Sequence, residues 1–203
     1  MEAILKRSFA VVAGVLLALA LGAAPLFVPS AAQGKDGWTL LFDGTNLNAW
    51  NPLGNANWKL GDGVVEASSG NGFLVSKESY ADFEIKVEFW ADEAANSGVF
   101  IRCENPMQID QNNAYEVNIY DKRPDQAYRT GAIVDVAKPS SIVNAGGAWN
   151  TFQITARGAS LVVILNNIRT VDVNNSLHAR GPVALQYGGA GVVKFRRVEI
   201  RRL

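Results

Sequence analysis

The chain has 203 residues, a formal net charge of zero and 48% hydrophobic residues. That is enough for one domain of ordinary size, and the balanced, scattered charge argues against a nucleic-acid surface. Nineteen glycines, with frequent Asn and aromatic residues, predict an all-β protein rich in tight turns.

Lys6 and Arg7 precede an apolar run from Val11 to Ala24, then Pro25, Pro29 and Ser30-Ala31-Ala32. This is the build of a secretory signal peptide, residues 1–32, cleaved after Ala32. The run is short for a membrane span of about 20 residues, so cleavage is expected and no membrane anchor after it. Residues 33–203 then form a single domain. The single cysteine, Cys103, cannot close an internal disulfide and reads as a buried thiol. Export without disulfides implies a periplasmic or secreted bacterial protein.

Along the domain, short strands alternate with turn residues. Trp38 to Phe42 is the first strand, and Trp50 and Trp58 flank a loop. Gly61-Asp62-Gly63 turns a hairpin. Asp82 to Ala91 has the cleanest alternation, with Phe83, Ile85, Val87 and Phe89 on one face. Asn96 to Arg102 and Tyr115 to Asp121 form a central pair. Thr130 to Asp135 is expected to return to the sheet. Trp149 to Ala156, Leu161 to Leu165 and Ile168 to Val173 follow, with Asn166-Asn167 in a tight turn. Gly181 to Tyr187 and Val192 to Leu203 close the chain. The apolar phase of the last strand slips between Phe195 and Val198, which predicts a bulge at Arg196-Arg197. Strands this short and frequent pack as a two-sheet sandwich.

With Tyr115, Val117 and Ile119 facing the core, Glu116 and Asn118 project from the other side of their strand. Residues two apart on a strand stand about 6.5–7 Å apart, a spacing that suits two contacts to one sugar ring. By alternation Arg102 reaches the same surface from the neighbouring strand, and Gln186 faces outward on its own. Asn96 is a turn residue or a ligand, and Asp121 a turn cap or a reserve acid. Trp50 and Trp90 are candidates to stack on a sugar face, whereas Trp38, Trp58 and Trp149 read as core. The lone His178 reads as a solvated loop residue and removes multi-histidine metal sites. No metal ligand set is assigned. A retaining glycosidase needs two carboxylates about 5–5.5 Å apart, and only Glu116 is acidic among the outward positions of its strand.

Asn96-Ser97-Gly98-Val99-Phe100-Ile101-Arg102 followed by Tyr115-Glu116-Val117-Asn118-Ile119-Tyr120-Asp121 resembles the 3-keto-disaccharide hydrolase domain family. The likeness runs from Trp38 to Leu203 and includes Gly37-Trp38-Thr39-Leu40-Leu41-Phe42-Asp43-Gly44 and Gly181-Pro182-Val183-Ala184-Leu185-Gln186. The chain departs from the pattern at Asn118, often Gln in the family, and after Gln186. The resemblance implies a concanavalin/laminin-G-like jelly-roll β-sandwich of two antiparallel sheets. It also implies a hydrolase that cleaves 3-keto-glycosides. A C3 ketone acidifies the C2 proton, so one base suffices: abstraction, elimination at C1, then hydration. In that scheme Glu116 is the base, Arg102 the enolate stabiliser and Asp121 the reserve acid; Asn96, Asn118, Gln186 and Trp90 hold the sugar. A divalent cation can take the enolate instead of Arg102. The alternatives are a non-catalytic, lectin-like carbohydrate-binding module and an adhesion domain.

Overall fold

The computed structural model describes residues 36–203; the expected signal peptide, residues 1–32, and its expected cleavage point lie outside the described residues. The strands are β1 (Trp38–Phe42), β2 (Trp50–Gly54), β3 (Lys59–Gly61), β4 (Val64–Ala67), β5 (Gly72–Ser76), β6 (Phe83–Ala91) and β7 (Ser97–Ile101). There follow β8 (Tyr115–Ile119), β9 (Ala148–Arg157), β10 (Ser160–Leu165), β11 (Ile168–Asn174), β12 (Ala184–Tyr187) and β13 (Val193–Arg202). One sheet has eight strands in the order β11-β10-β9-β6-β13-β4-β3, with β1 also paired to β13. The other has five, in the order β2-β5-β12-β7-β8. The strands of both pair antiparallel, giving the all-β jelly-roll sandwich.

Period-two alternation builds the core between the sheets. Ile85, Val87 and Phe89 of β6 and Phe152 and Ile154 of β9 meet Val99, Tyr115, Val117 and Leu185 from the smaller sheet. Phe89 and Phe152 stack with centroids 5.0 Å apart. Burying one such side chain stabilises the fold by about 1.5–3 kcal/mol. Two of the two-residue hairpin loops carry the positive φ that type I′ turns need: Asp62 at 51° with Gly63 at 74°, and Asn166 at 50° with Asn167 at 66°. The bulge in β13 is present. Phe195 faces Phe89 and Arg197 faces Glu88, so Arg196 is the extra residue.

Two local expectations change and a third is refined. Trp50 to Gly54 is a strand, not a loop, and Trp50 is core rather than a stacking platform, 3% exposed with its indole N–H donated to Leu41 O. Residues 130–135 do return to the sheet, bridging Ile133 to Val117, but in irregular form, because Gly131 and Asp135 both take positive φ and turn the chain. Gly131 N and Val134 N donate to Asn118 O and Glu116 O, and Asn118 N donates to Ala132 O. An irregular segment thus closes the outer edge of β8. His178 is buried, not solvated: its ring packs edge-on against Tyr115 and its backbone N–H donates to the Tyr115 hydroxyl.

Candidate active site

The outward face of the five-stranded sheet is where Glu116 sits. Register places Phe100 opposite Glu116 and Gly98 opposite Asn118. On the far side of β7, Leu185 of β12 faces Val99, so Gln186 comes alongside Gly98. Glu116 leans along its strand over that glycine: a Cβ built on Gly98 would stand 3.3 Å from both Glu116 Cγ and Glu116 Oε1. Glu116, Asn118 and Gln186 therefore surround a floor with no side chain. Phe100 and Phe73, edge-to-face at 5.3 Å, form the apolar wall beside it. Asn96 shares this face two residues before Gly98, with its amide packed on Gly188.

The electrostatics of Glu116 are set by burial. The residue is 7% exposed, and among the described residues its carboxylate takes no hydrogen bond. Loss of water pushes its pKa up to about 7; Arg123 pulls it back down and Asp135 adds to the rise. A carboxyl poised near neutrality suits proton transfer. The two amides beside it are underused. Asn118 Nδ2 donates to Tyr128 O, which orients the amide and leaves its buried Oδ1 without a donor. Gln186 Oε1 is also buried and unpartnered. An unmet buried acceptor costs about 1–3 kcal/mol, which a ligand hydroxyl can recover. Oxygen atoms able to meet a cation here are the Glu116 carboxylate and these two amides. Among the described residues no group of three or more His, Cys, Asp or Glu is placed to hold a metal.

Three residues expected near Glu116 lie elsewhere or are committed. Arg102 adopts φ 54°, and this left-handed residue breaks the alternation after β7. Its guanidinium turns away from the Glu116 face. Nε donates to Ala81 O at 2.9 Å, Nη1 to Gly158 O at 2.8 Å and His178 O at 3.1 Å, and Nη2 to Asp82 Oδ1 at 3.2 Å. The same reversal moves Cys103 off the inter-sheet core and into the cluster of Phe100, Val75 and Ile109, where burial pushes its thiol up to about 12. Asp121 is a loop clamp. Its carboxylate accepts from Thr130 Oγ1 at 2.6 Å, Ala145 N at 2.8 Å and Gly146 N at 2.9 Å, with Arg129 at 3.8 Å. Trp90 lies on the outer face of the other sheet, paired with Trp149 across β6 and β9; Trp149, expected in the core, is 37% exposed.

The cation whose charge acts on Glu116 is Arg123. It is half-buried and joins no ion pair among the described residues. No alternation or motif pointed to it; it lies in the loop that follows the strand of Glu116.

Known structures share this architecture. A protein assigned as a glycosyl hydrolase from Parabacteroides distasonis superposes with a TM-score of 0.73 at 19% identity, covering 82% of this chain and 94% of that one. A second from the same organism gives 0.68 at 25% identity, over 82% and 99%. A carbohydrate-binding module from Bacillus subtilis gives 0.58 at 17% identity, over 81% and 95%. No curated protein sequence matches the chain. Family and neighbours together support a carbohydrate-related function. The sequence model of the 3-keto-alpha-glucoside-1,2-lyase-like domain matches residues 37–201, and the chain belongs to that family.

Proposed function

We propose that the protein, exported by its leader, cleaves 3-keto-glycosides through a single general base. The observation that carries this reading is Glu116: a nearly buried carboxyl without a hydrogen bond, near-neutral in pKa, leaning over Gly98 between two free amide oxygens. A structural glutamate on a sheet face would sit paired with a cation or solvated instead.

In this mechanism Glu116 takes the proton from C2 of the sugar. The C2–H electrons form the enolate with the C3 ketone. They then return to make the C1–C2 double bond as the C1–O bond breaks, and the departing oxygen takes a proton back from the Glu116 carboxylic acid or from water. Water adds at C1 of the enone, giving the free 3-keto sugar and the released alcohol, a net hydrolysis. Arg123, in place of Arg102, offers positive charge to the enolate oxygen. Asn118 Oδ1 and Gln186 Oε1 accept sugar hydroxyls and orient the ring. Asp121 and Arg102 hold loops rather than substrate, since their polar atoms are already engaged.

The test is mass spectrometry of the purified protein with 3-keto-trehalose, with and without divalent metal, against unoxidised trehalose. Cleavage of the keto sugar alone, lost in Glu116→Gln, is the expected result. Cleavage of neither sugar, with saturable binding of one, would replace the enzyme with a binding module.

A further inference from the structure

The eight-stranded sheet carries a second feature, on the face of the sandwich opposite Glu116. A groove of ≈ 420 Å³ runs over β3, β4, β13, β6 and β9 and is lined by Trp90 and Trp149 together with Lys59, Asp62, Glu66 and Lys194. Its floor is one cross-strand row. Lys59 faces Glu66, Glu66 faces Lys194, Lys194 faces Trp90, and Trp90 faces Trp149. Directly opposed residues on neighbouring strands have Cβ atoms about 4.5–5.5 Å apart, so the two indoles lie side by side as an aromatic platform, with Lys194 Nζ over the Trp90 ring at 5.4 Å.

This outer face is otherwise a lattice of paired charges. Lys86 pairs with Glu199, Arg201 with Glu84, and Arg196 with Glu88. The platform interrupts that lattice. Trp149 is 37% exposed, the one aromatic among the large exposed hydrophobics of the described residues. Its ring is held in place: the bulge residue Arg196 stacks over it at 4.2 Å. Arg196 does not line the groove, so the groove meets the rest of the indole. The flanking charges cancel, two lysines against two carboxylates, and Lys194 bonds Glu66 at 3.0 Å. A groove of zero net charge, with rigid indoles on one side and both donors and acceptors on the other, has no preference for an anion or a cation. Its complement is a neutral polyhydroxylated ring with an apolar C–H face.

We propose that this groove is a second carbohydrate-binding site, separate from the Glu116 site, that stacks a neutral sugar of a glycan chain on Trp149 and Trp90. Glu66 and Asp62 accept hydroxyl hydrogens, and Lys59 and Lys194 donate to hydroxyl oxygens. The proposal stands whether or not Glu116 catalyses, because the two sites lie on opposite sheets. A shallow, open platform of this kind binds weakly, in the millimolar range, and serves to keep the protein on a polymeric or clustered substrate.

The experiment is a two-dimensional NMR titration of the indole N–H signals with three neutral probes, trehalose, maltotetraose and cellotetraose, using Trp90→Phe and Trp149→Phe to assign the peaks. A saturable shift of the Trp90 and Trp149 signals with at least one probe is expected, unchanged in Glu116→Gln. Trp149→Ala should weaken that binding at least tenfold while leaving turnover of a small 3-keto-glycoside, if present, at the wild-type level. The proposal falls if none of the probes moves these two signals, or if Trp149→Ala leaves the affinity read at the Trp90 signal unchanged. Loss of turnover in Glu116→Gln with the indole shifts intact separates the two sites; absence of turnover in every variant bears on Glu116 alone.

Discussion

Glu116 and Gly98 are diagonal neighbours on one face of β8 and β7, and the glutamate fills the space that a side chain at 98 would take. The backbone at Gly98 does not require glycine, since its φ lies outside the left-handed region. What glycine supplies here is room for the carboxyl. Gly98→Ala puts a methyl 3.3 Å from Glu116 Cγ, Glu116 Oε1 and Val117 O. The expected outcome is a folded protein, less stable by about 1–2 kcal/mol from local overpacking. Its turnover of 3-keto sugar should fall between about ten- and a hundredfold through misplacement of the base. Steady-state kinetics beside thermal unfolding decides this; wild-type turnover would detach Gly98 from the site.

The raised pKa of Glu116 has a stability consequence with a defined sign. The folded state holds the proton up to about pH 7, whereas the ordinary value is 4.5. The native state therefore binds more protons than the unfolded one between those values, and stability falls as pH rises through the window. Above it, the ionised carboxylate costs roughly 3 kcal/mol. Glu116→Gln should be more stable than wild type at pH 8 by up to about that amount, with the difference vanishing near pH 4. Denaturant unfolding at the two pH values measures it. A variant equally or less stable at pH 8 would mean that the carboxylate is well solvated or paired.

Arg123 is the charge that opposes this rise. Arg123→Met should shift the midpoint of the pH–rate profile to higher pH and lower kcat by roughly a hundredfold, the usual loss for one stabilising donor at a developing oxyanion. Stability should move by no more than about 0.5 kcal/mol, because the side chain joins no ion pair among the described residues. A large stability loss without a profile shift would mark Arg123 as a loop anchor instead.

The sheet faces were legible because alternation is a local property. Tyr115, Val117 and Ile119 had to point one way, so Glu116 and Asn118 had to point the other, and the slipped phase at Arg196 announced the bulge. Arg102 was not legible. A single left-handed φ after β7 reverses the alternation, and an arginine carries no signal for that conformation. The opposition of Trp90 and Trp149 depends on pairing between strands about 60 residues apart, which no local pattern fixes. Asp121 looked like a free acid because its partners, Ala145 and Gly146, come from a distant loop.

That clamp yields its own prediction. Asp121 accepts two backbone N–H groups and a hydroxyl in a half-buried position, so it holds the 144–147 loop to the end of β8. Asp121→Asn exchanges one accepting oxygen for a donor that faces other donors. A loss of about 1–3 kcal/mol is expected, with the pH–rate midpoint unchanged. A displaced midpoint, measured on the folded fraction, would return Asp121 to the chemistry as an acid.

Arg102 provides the sharpest separation between fold and site. The residue is 1% exposed, and its guanidinium gathers the loop before β6, the β9–β10 turn and the segment at His178 through three carbonyl oxygens and the Asp82 carboxylate. Asp82 in turn accepts from Gly158 N at 2.9 Å, so the network closes on itself. Arg102→Met leaves those carbonyls and that carboxylate short of donors in a water-poor site, and a loss of about 3–5 kcal/mol is expected. Arg102→Lys recovers one or two of the bonds but not the planar fork, so it should fall between. Neither change should move the pH–rate midpoint of the protein that remains folded, because the guanidinium does not face Glu116. If Arg102→Lys instead retained full stability and lost turnover, the guanidinium would belong to the reaction and the reversal at φ 54° would have to relax when substrate binds.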